Sequence, residues 1–275
     1  MGKKCRLCEL AHPVIGITER GDAGRDQSWA PQVEAGEVDL AILITKCISQ
    51  AMIDNVIRLH DAGKRFIVHC GCTGWGGTNI EPGSPAAIVQ LRSLLMLLKA
   101  GFPVDHCVLR IDPIIPLPDG LYRSGAVLRL ADRLIGLENL RVRISVMDDY
   151  AHVKKRFIDA GLQPVYPERQ FYATPDQFHE VQRLCEEFPK VTFETCAEKS
   201  LFGPNIKAQG CVSDQDLAIV GIKRVSDAGI NPQNRSGCLC LSGKKELLTQ
   251  KHPCASRCLY CYWQDPAGDK GREAR

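Results

Sequence analysis

The sequence predicts an α/β protein built on a parallel sheet, and two observations carry that expectation. From residue 13 onward, short β-rich runs alternate with helix-length amphipathic segments, the pattern of strands wrapped by helices. The runs are apolar on both faces, as strands buried inside a parallel sheet are.

Six strands are expected, in order: PVIGIT 13–18, DLAILIT 39–45, RFIVHCG 65–71, DHCVLRIDPI 105–114, RVRISVM 141–147 and VTFETCA 191–197. Between them Ile48, Met52, Ile53, Val56 and Ile57 recur at three- and four-residue spacing, as do Leu91, Leu94, Leu95 and Leu98. Each set marks the buried stripe of a helix. DAGK at 61–64 and KAGFP at 99–103 put glycines where helices end. A helix over 174–188 opens on Thr174-Pro175-Asp176, a capping residue followed by proline in the first turn. Beyond 197 the periodicity fades, apart from a short helix near 213–221. The stretch 229–275 is rich in Gly, Pro, Cys and basic residues, with too few apolar ones for its own core, and 266–275 reads as disordered. Six βα units suit a doubly wound sheet or a partial barrel, and both gather chemistry at the carboxyl edge of the strands.

Composition narrows the function. The 275 residues are 44% hydrophobic and 24% charged, which excludes a fibrous or disordered chain. A net charge of +3 permits an anionic substrate but falls short of a dedicated nucleic-acid binder. No apolar run nears the ~18 residues of a bilayer span, and the first residues lack the apolar stretch of a secretory signal. A cytoplasmic protein without a membrane partner is therefore expected. Fourteen cysteines in a reducing compartment then point to metal rather than to disulfides.

CASRCLYCYW, residues 254–263, spaces Cys254, Cys258 and Cys261 as C-x3-C-x2-C, with Tyr260 before the last. Short loops let three thiolates face one cluster, and three leave a four-iron cubane one ligand short. An open metal position serves chemistry, where a closed one serves structure. A zinc knuckle completed by Cys238, Cys240 or His252 is the competing reading.

The motif and its aromatic resemble the signature of the radical S-adenosylmethionine (SAM) enzymes, in which it normally follows the first strand. The whole chain resembles a bacterial family that carries this signature at its C-terminus, through TERGD (18–22), ILITK (42–46), LRIDPI (109–114), ETCAE (194–198), QNRSGCLC (233–240) and the motif itself. The resemblance implies a partial (β/α)6 TIM-like barrel over 13–200. An N-terminal CxxC segment over 1–12 precedes it, and a cysteine-rich C-terminal iron–sulfur extension over 201–275 follows. It implies that Cys254, Cys258 and Cys261 hold a [4Fe–4S] cluster whose open site binds SAM. Reductive cleavage then yields a 5′-deoxyadenosyl radical that abstracts hydrogen from the substrate, with flavodoxin or ferredoxin as the kind of electron donor required. Cys196, Cys211, Cys238 and Cys240 are expected to hold an auxiliary iron–sulfur cluster or zinc, since both accept four sulfurs. Cys5 and Cys8 need two further ligands, for which Cys70 and Cys72, or Cys47, are candidates. Cys107 and Cys185 read as buried small hydrophobes.

Arg110 and Asp112 stand two apart, hence on one side of their strand, where neither charge is left unpaired if buried. By analogy Arg110 takes the SAM carboxylate or a substrate anion and Asp112 orients it; a buried pair without ligand is the plainer reading. On the same analogy Ser145 reaches the ribose, Glu198 the SAM amino group, and Tyr260 joins the cofactor-binding set. Lys46, at a strand end, is a candidate for a phosphate or carboxylate, and Arg20 and Asp22 for the pocket mouth. GCTGWGGTNIEPG (71–83) suits a substrate lid with Trp75 at its tip. A modified nucleotide or DNA base, rearranged in an isomerisation or similar step, is the leading expectation for the substrate. It rests on the basic tail (Lys244, Lys245, Lys251, Arg257, Lys270, Arg272) and on Trp75 and Trp263 as stacking rings. A peptide or amino-acid substrate is the first alternative, since Arg110 suits a carboxylate equally. The second is a non-enzymatic zinc protein that binds nucleic acid.

Overall fold

The computed structural model describes residues 8–167, 170–225, 238–241, 243–249 and 254–263. In chain order the elements are β1 (Cys8–Leu10), β2 (Ile15–Ile17), α1 (Trp29–Glu34), β3 (Leu40–Thr45), α2 (Gln50–Asp61), β4 (Phe66–Gly71) and α3 (Ala87–Lys99). They continue as β5 (Cys107–Ile114), α4 (Pro118–Ile135), β6 (Arg141–Val146), α5 (Ala151–Asp159), α6 (Pro175–Glu186) and β7 (Phe193–Thr195). The last are β8 (Ile206–Ala208), α7 (Asp214–Ile219), β9 (Ile222–Arg224) and β10 (Lys244–Glu246). No helix among the described residues is long and apolar enough to cross a membrane.

Local chemistry sets the helix limits. Ser49 caps α2 by accepting from the Met52 amide, and Thr174 caps α6 in a reciprocal box with Gln177. After α2 and α3 the chain turns at Gly63 and Gly101, whose φ of +85° and +101° suits glycine and strains other residues.

The principal sheet has the order β10-β2-β3-β4-β5-β6-β7-β8, with every neighbouring pair parallel. From β2 to β8 spatial order follows chain order, so the sheet winds in one direction. A doubly wound sheet reverses at a switch point, so that alternative is excluded. All six expected strands form. Two more were not foreseen, β8 and β10, so the sheet has eight strands instead of six, and the cysteine-rich tail supplies one end of it. β1 pairs with β9 in a separate parallel ladder, and among the described residues no ladder joins β8 to β10. The expectations for residues 1–7 and 266–275 lie outside the described residues.

One face of the sheet packs on helices. Ala41, Leu43, Phe66, Val68 and Cys70 meet Trp29, Val33, Met52, Val56, Leu94 and Leu97 from α1, α2 and α3. Further along, Leu109, Ile111, Val142, Ile144 and Phe193 meet Val127, Leu128, Val181 and Leu184 from α4 and α6. The opposite face carries Ile15, Ile17, Leu40, Ile42, Ile67 and Val108, covered by Val212, Leu217, Ile222 and Leu241. Along β4 to β7 the same alternation brings His69, Arg110, Asp112, Arg141, Arg143, Ser145 and Glu194 to this face. Two apolar faces were expected for all strands, and β5 to β7 depart from that. Their buried charges persist because they are matched: Arg141 donates to Glu194 at 2.9 Å and to Asp216 at 2.7 Å, and Arg143 donates to the other Glu194 oxygen.

Candidate metal centres

β10 lies against β2 in register, Lys244 opposite Ile15 and Glu246 opposite Ile17, so both strands leave the sheet at the same edge. A few residues later the chain reaches Cys254. The motif rests on the segments that follow β2, β3 and β4. Asp22, beyond β2, accepts from the Lys46 amide at 2.9 Å, the Gly24 amide at 3.0 Å, the Thr45 hydroxyl and the Ser256 hydroxyl at 3.4 Å. The loop after β4 is tied to the motif by backbone bonds, Leu259 N to Ile80 O at 3.0 Å and Gly83 N to Ser256 O at 3.2 Å. A Cβ on Gly83 would stand 1.9 Å from the Ala255 carbonyl oxygen, so only glycine fits there. The glycine-rich loop is thus a platform for the motif, where a free lid was expected. Trp75 follows it inward, packed in a core cluster beneath the Arg123 guanidinium at 4.5 Å. It is scaffold and no stacking ring.

Glu81, fully buried in that loop, is the hub under the motif. It accepts from Lys46 Nζ at 3.2 Å, from the Thr73 hydroxyl and from the Tyr260 hydroxyl. Burial alone would raise its carboxyl, but Lys46, Thr73 and Tyr260 hold it below the ordinary range. Burial likewise works against the Lys46 ammonium, and the charge of Glu81 overrides it, holding that proton more tightly than usual. Tyr260 was expected among the cofactor-binding residues. Its hydroxyl is instead committed to Glu81 and its ring lies 5.5 Å from Lys46 Nζ, so it anchors the loop.

Backbone bonds from Arg257 N to Cys254 O and from Cys261 N to Cys258 O, both 3.1 Å, fold the motif into two turns. Cys258 is buried beside Ser84, and burial pushes its thiol up to about 12 against the pull of Lys46. Such a thiol ligates only when a metal displaces its proton. Cys254, Cys258 and Cys261 are not among the described groups whose ligand atoms all lie within 4.8 Å of one another. Among the described residues that closeness belongs to Cys196, Cys211 and Cys240, whose sulfurs all lie within 4.8 Å of one another. Cys240 is therefore not the fourth ligand of a knuckle with the motif, and His252 lies outside the described residues.

The second group draws on separate stretches. Cys196 directly follows β7, Cys211 lies just beyond β8, and Cys240 leads toward β10. The sulfurs of Cys196 and Cys240 are 3.8 Å apart, and the Cys211 amide donates to the Cys240 sulfur at 3.2 Å. Cys238 is in contact with Cys196 and Cys240 but stands outside the group of three whose sulfurs all lie within 4.8 Å. Contact with Cys211 and Cys238 brings the Cys196 thiol down to about 7, while the same contact with Cys196 pushes Cys211 up to about 11.

Arg110 and Asp112 form the expected pair, with the Ser145 hydroxyl donating to the other Asp112 oxygen. Burial disfavours the Asp112 carboxylate, yet Arg110 and Ser145 hold it down at about 2. Arg110 also lies 3.3 Å from His69 Nδ1. Glu198 accepts from the Val146 amide at 3.2 Å. Cys70 and Cys72 are buried in two different core clusters, Cys70 on the helix-covered face with its thiol raised to about 12. That burial argues against Cys70 and Cys72 as the partners considered for Cys5 and Cys8, whose side chains lie outside the described residues. Cys107 and Cys185 are buried within core clusters, as read. Glu81, Thr73, Gly83 and Arg143 escaped the sequence reading, because a lone residue in an aperiodic loop or an apolar strand carries no spacing signal.

Fold and site together define an α/β protein with a one-directional parallel sheet, a C-terminal cysteine motif docked at its carboxyl edge and a second cysteine group nearby. The chain belongs to the family described as "Domain of unknown function (DUF1848)", whose model matches residues 22–263. No curated protein matches it. Solved structures similar to it include 3-keto-L-gulonate-6-phosphate decarboxylase from Vibrio cholerae, at 10% identity and TM-score 0.31, covering 86% of this chain and 89% of that one. KGPDC from Streptococcus mutans matches at 15% identity and TM-score 0.28, covering 72% and 85%. A class V chitinase from Pseudomonas fluorescens matches at 11% and 0.32, covering 68% and 54%. Scores this low carry no argument about the chain.

Proposed function

We propose that this protein is a radical SAM enzyme on a partial-barrel scaffold, with Cys254, Cys258 and Cys261 holding a [4Fe–4S] cluster. One observation carries the reading. β10 occupies the place before β2 in the sheet, and the motif follows β10. In space, then, the motif follows the first strand, the arrangement of the superfamily it resembles, although in sequence it comes last. The donor set fits the cluster: three thiols on two tight turns, with Lys46 close enough to Cys258 to favour its thiolate against burial.

A bound cluster with one open iron would supply an electron to SAM, drawn from a donor such as flavodoxin or ferredoxin. The chain's own residues do the positioning. Lys46, Glu81 and Tyr260 fix the motif against the strand ends. Asp112, braced by Ser145, orients Arg110, whose remaining donors would take the carboxylate of SAM or an anionic substrate. Glu198, held at the end of β6 by the Val146 amide, would accept from the SAM amino group. For the substrate we keep a modified nucleotide or DNA base undergoing rearrangement. Its support is narrower than the sequence suggested, since Trp75 is buried and Lys244 and Lys245 pair with Glu19 and Glu37. Trp263 remains half-exposed, with Arg20 over its ring at 4.9 Å. A peptide or amino-acid substrate gains by the same facts.

The test is anaerobic purification followed by dithionite reduction with SAM and candidate nucleosides or peptides. We expect brown protein with about four irons per motif, and 5′-deoxyadenosine by mass spectrometry, both lost in Cys258→Ala. Colourless protein that leaves SAM intact would sink the proposal in favour of a non-enzymatic zinc protein.

A further inference from the structure

The sulfurs of Cys196, Cys211 and Cys240 stand within 4.8 Å of one another, with 3.8 Å between Cys196 and Cys240. Four thiolates bound to one tetrahedral ion at ~2.3 Å stand about 3.8 Å apart. In a cubane each thiolate has its own iron, and the width of the cluster keeps the sulfurs further apart. In a two-iron cluster at most two of these three could share an iron. We propose that Cys196, Cys211, Cys238 and Cys240 hold a single tetrahedral metal ion, zinc by the chemistry of four thiolates, in place of an auxiliary iron–sulfur cluster, and that this ion clasps the two end strands of the sheet.

Geometry and charge around the thiols agree with that assignment. Cys211 lies on the segment that leaves β8, and Cys240 on the segment that enters β10. The two segments already touch: Leu241 N donates to Val212 O at 2.9 Å, and a Cβ on Gly210 would stand 2.4 Å from the Leu239 carbonyl oxygen. Val212 and Leu241 enter the same apolar layer. The ion thus ties together ends that no described ladder joins. Four thiolates on a divalent ion leave two negative charges, and the cations of Arg110 and Lys244 lie within electrostatic reach of these sulfurs. With four sulfurs the coordination is closed, so the ion is structural and has no place for substrate.

The site is independent of the radical reading, and metal analysis separates the two. Full-length protein purified anaerobically is expected to carry one zinc per chain. The zinc stays in Cys258→Ala and is lost in Cys196→Ser and Cys240→Ser. Should the serine variants fail to fold, cobalt exchanged into the wild-type protein decides: intense visible absorption with sulfur-to-cobalt charge transfer marks the tetrahedral thiolate site. A weak octahedral spectrum, or zinc that survives both serine variants, overturns the clasp. About eight irons per chain with no zinc would overturn it and leave the radical reading standing. One zinc with no iron would do the reverse.

Discussion

Glu81 shows how much of the site depends on a residue outside the motif. It is buried with a lysine, a threonine and a tyrosine pointed at it, so removing its charge strands the Lys46 ammonium in the interior. Breaking a buried pair from one side costs about 3–5 kcal/mol, and we expect Glu81→Gln to lose that much in denaturant unfolding. Tyr260→Phe should lose about 1.5–3 kcal/mol, the worth of one hydrogen bond to a charged acceptor, while Lys46 and Thr73 still donate to the same Glu81 oxygen. Both variants should bind iron less firmly. Wild-type stability and iron content in Glu81→Gln would show that the carboxylate anchors nothing. The motif was legible as C-x3-C-x2-C at fixed spacing, and Tyr260 was legible as part of it. That Tyr260 serves as an anchor was not, since its partner stands in a loop whose burial depends on Lys46, far away in the chain.

Among the elements, those with apolar periodicity were legible and those that exist through pairing were not. β3 to β6 declare themselves by runs of Ile, Leu and Val, and α2, α3 and α6 by their stripes and caps. β10 reads Lys-Lys-Glu, with no strand propensity at all; it becomes a strand because the open edge of β2 offers it a ladder. β8 is as short, and it extends the far end in the same way. The loop between β4 and α3 looked mobile because it is rich in glycine, yet Gly83 is there for close approach. We expect Gly83→Ala to push the motif outward at a cost of about 1–3 kcal/mol in overpacking. Circular dichroism of the sheet should be unchanged while reconstituted iron falls. Full iron retention in that variant would show that the platform does not position the motif.

For the whole molecule, the charged side chains on the covered face of β4 to β7 make stability depend on pH. Burial, with Arg143, Arg110 and Arg141 facing the ring, holds the His69 imidazole well below its ordinary value. The unfolded chain takes up a proton near pH 6.5 and the folded one does not, so the unfolded state binds more protons below that pH. Stability contributed by neutral His69 is therefore complete above about 6.5 and declines on acidification, by up to about 1.4 kcal/mol per pH unit. Urea unfolding from about pH 8 to pH 5.5 should show this slope, and His69→Gln should flatten it. An unchanged slope in the variant would assign the acid sensitivity to other groups. The apolar layer of this face could be foreseen from the pattern of the strands. Its ion pairs could not, because Arg141, Glu194 and Asp216 meet only once β6, β7 and α7 are assembled.

The place of β10 beside β2 fixes an order of events during synthesis. Among the described strands β2 is one of the earliest to leave the ribosome and the one that covers its margin is the latest, so the nascent chain carries an uncapped, apolar margin until translation of residue 246. Under the proposed function, iron would reach Cys254, Cys258 and Cys261 only after β10 has been made, and would meet a scaffold whose other described strands are already in place.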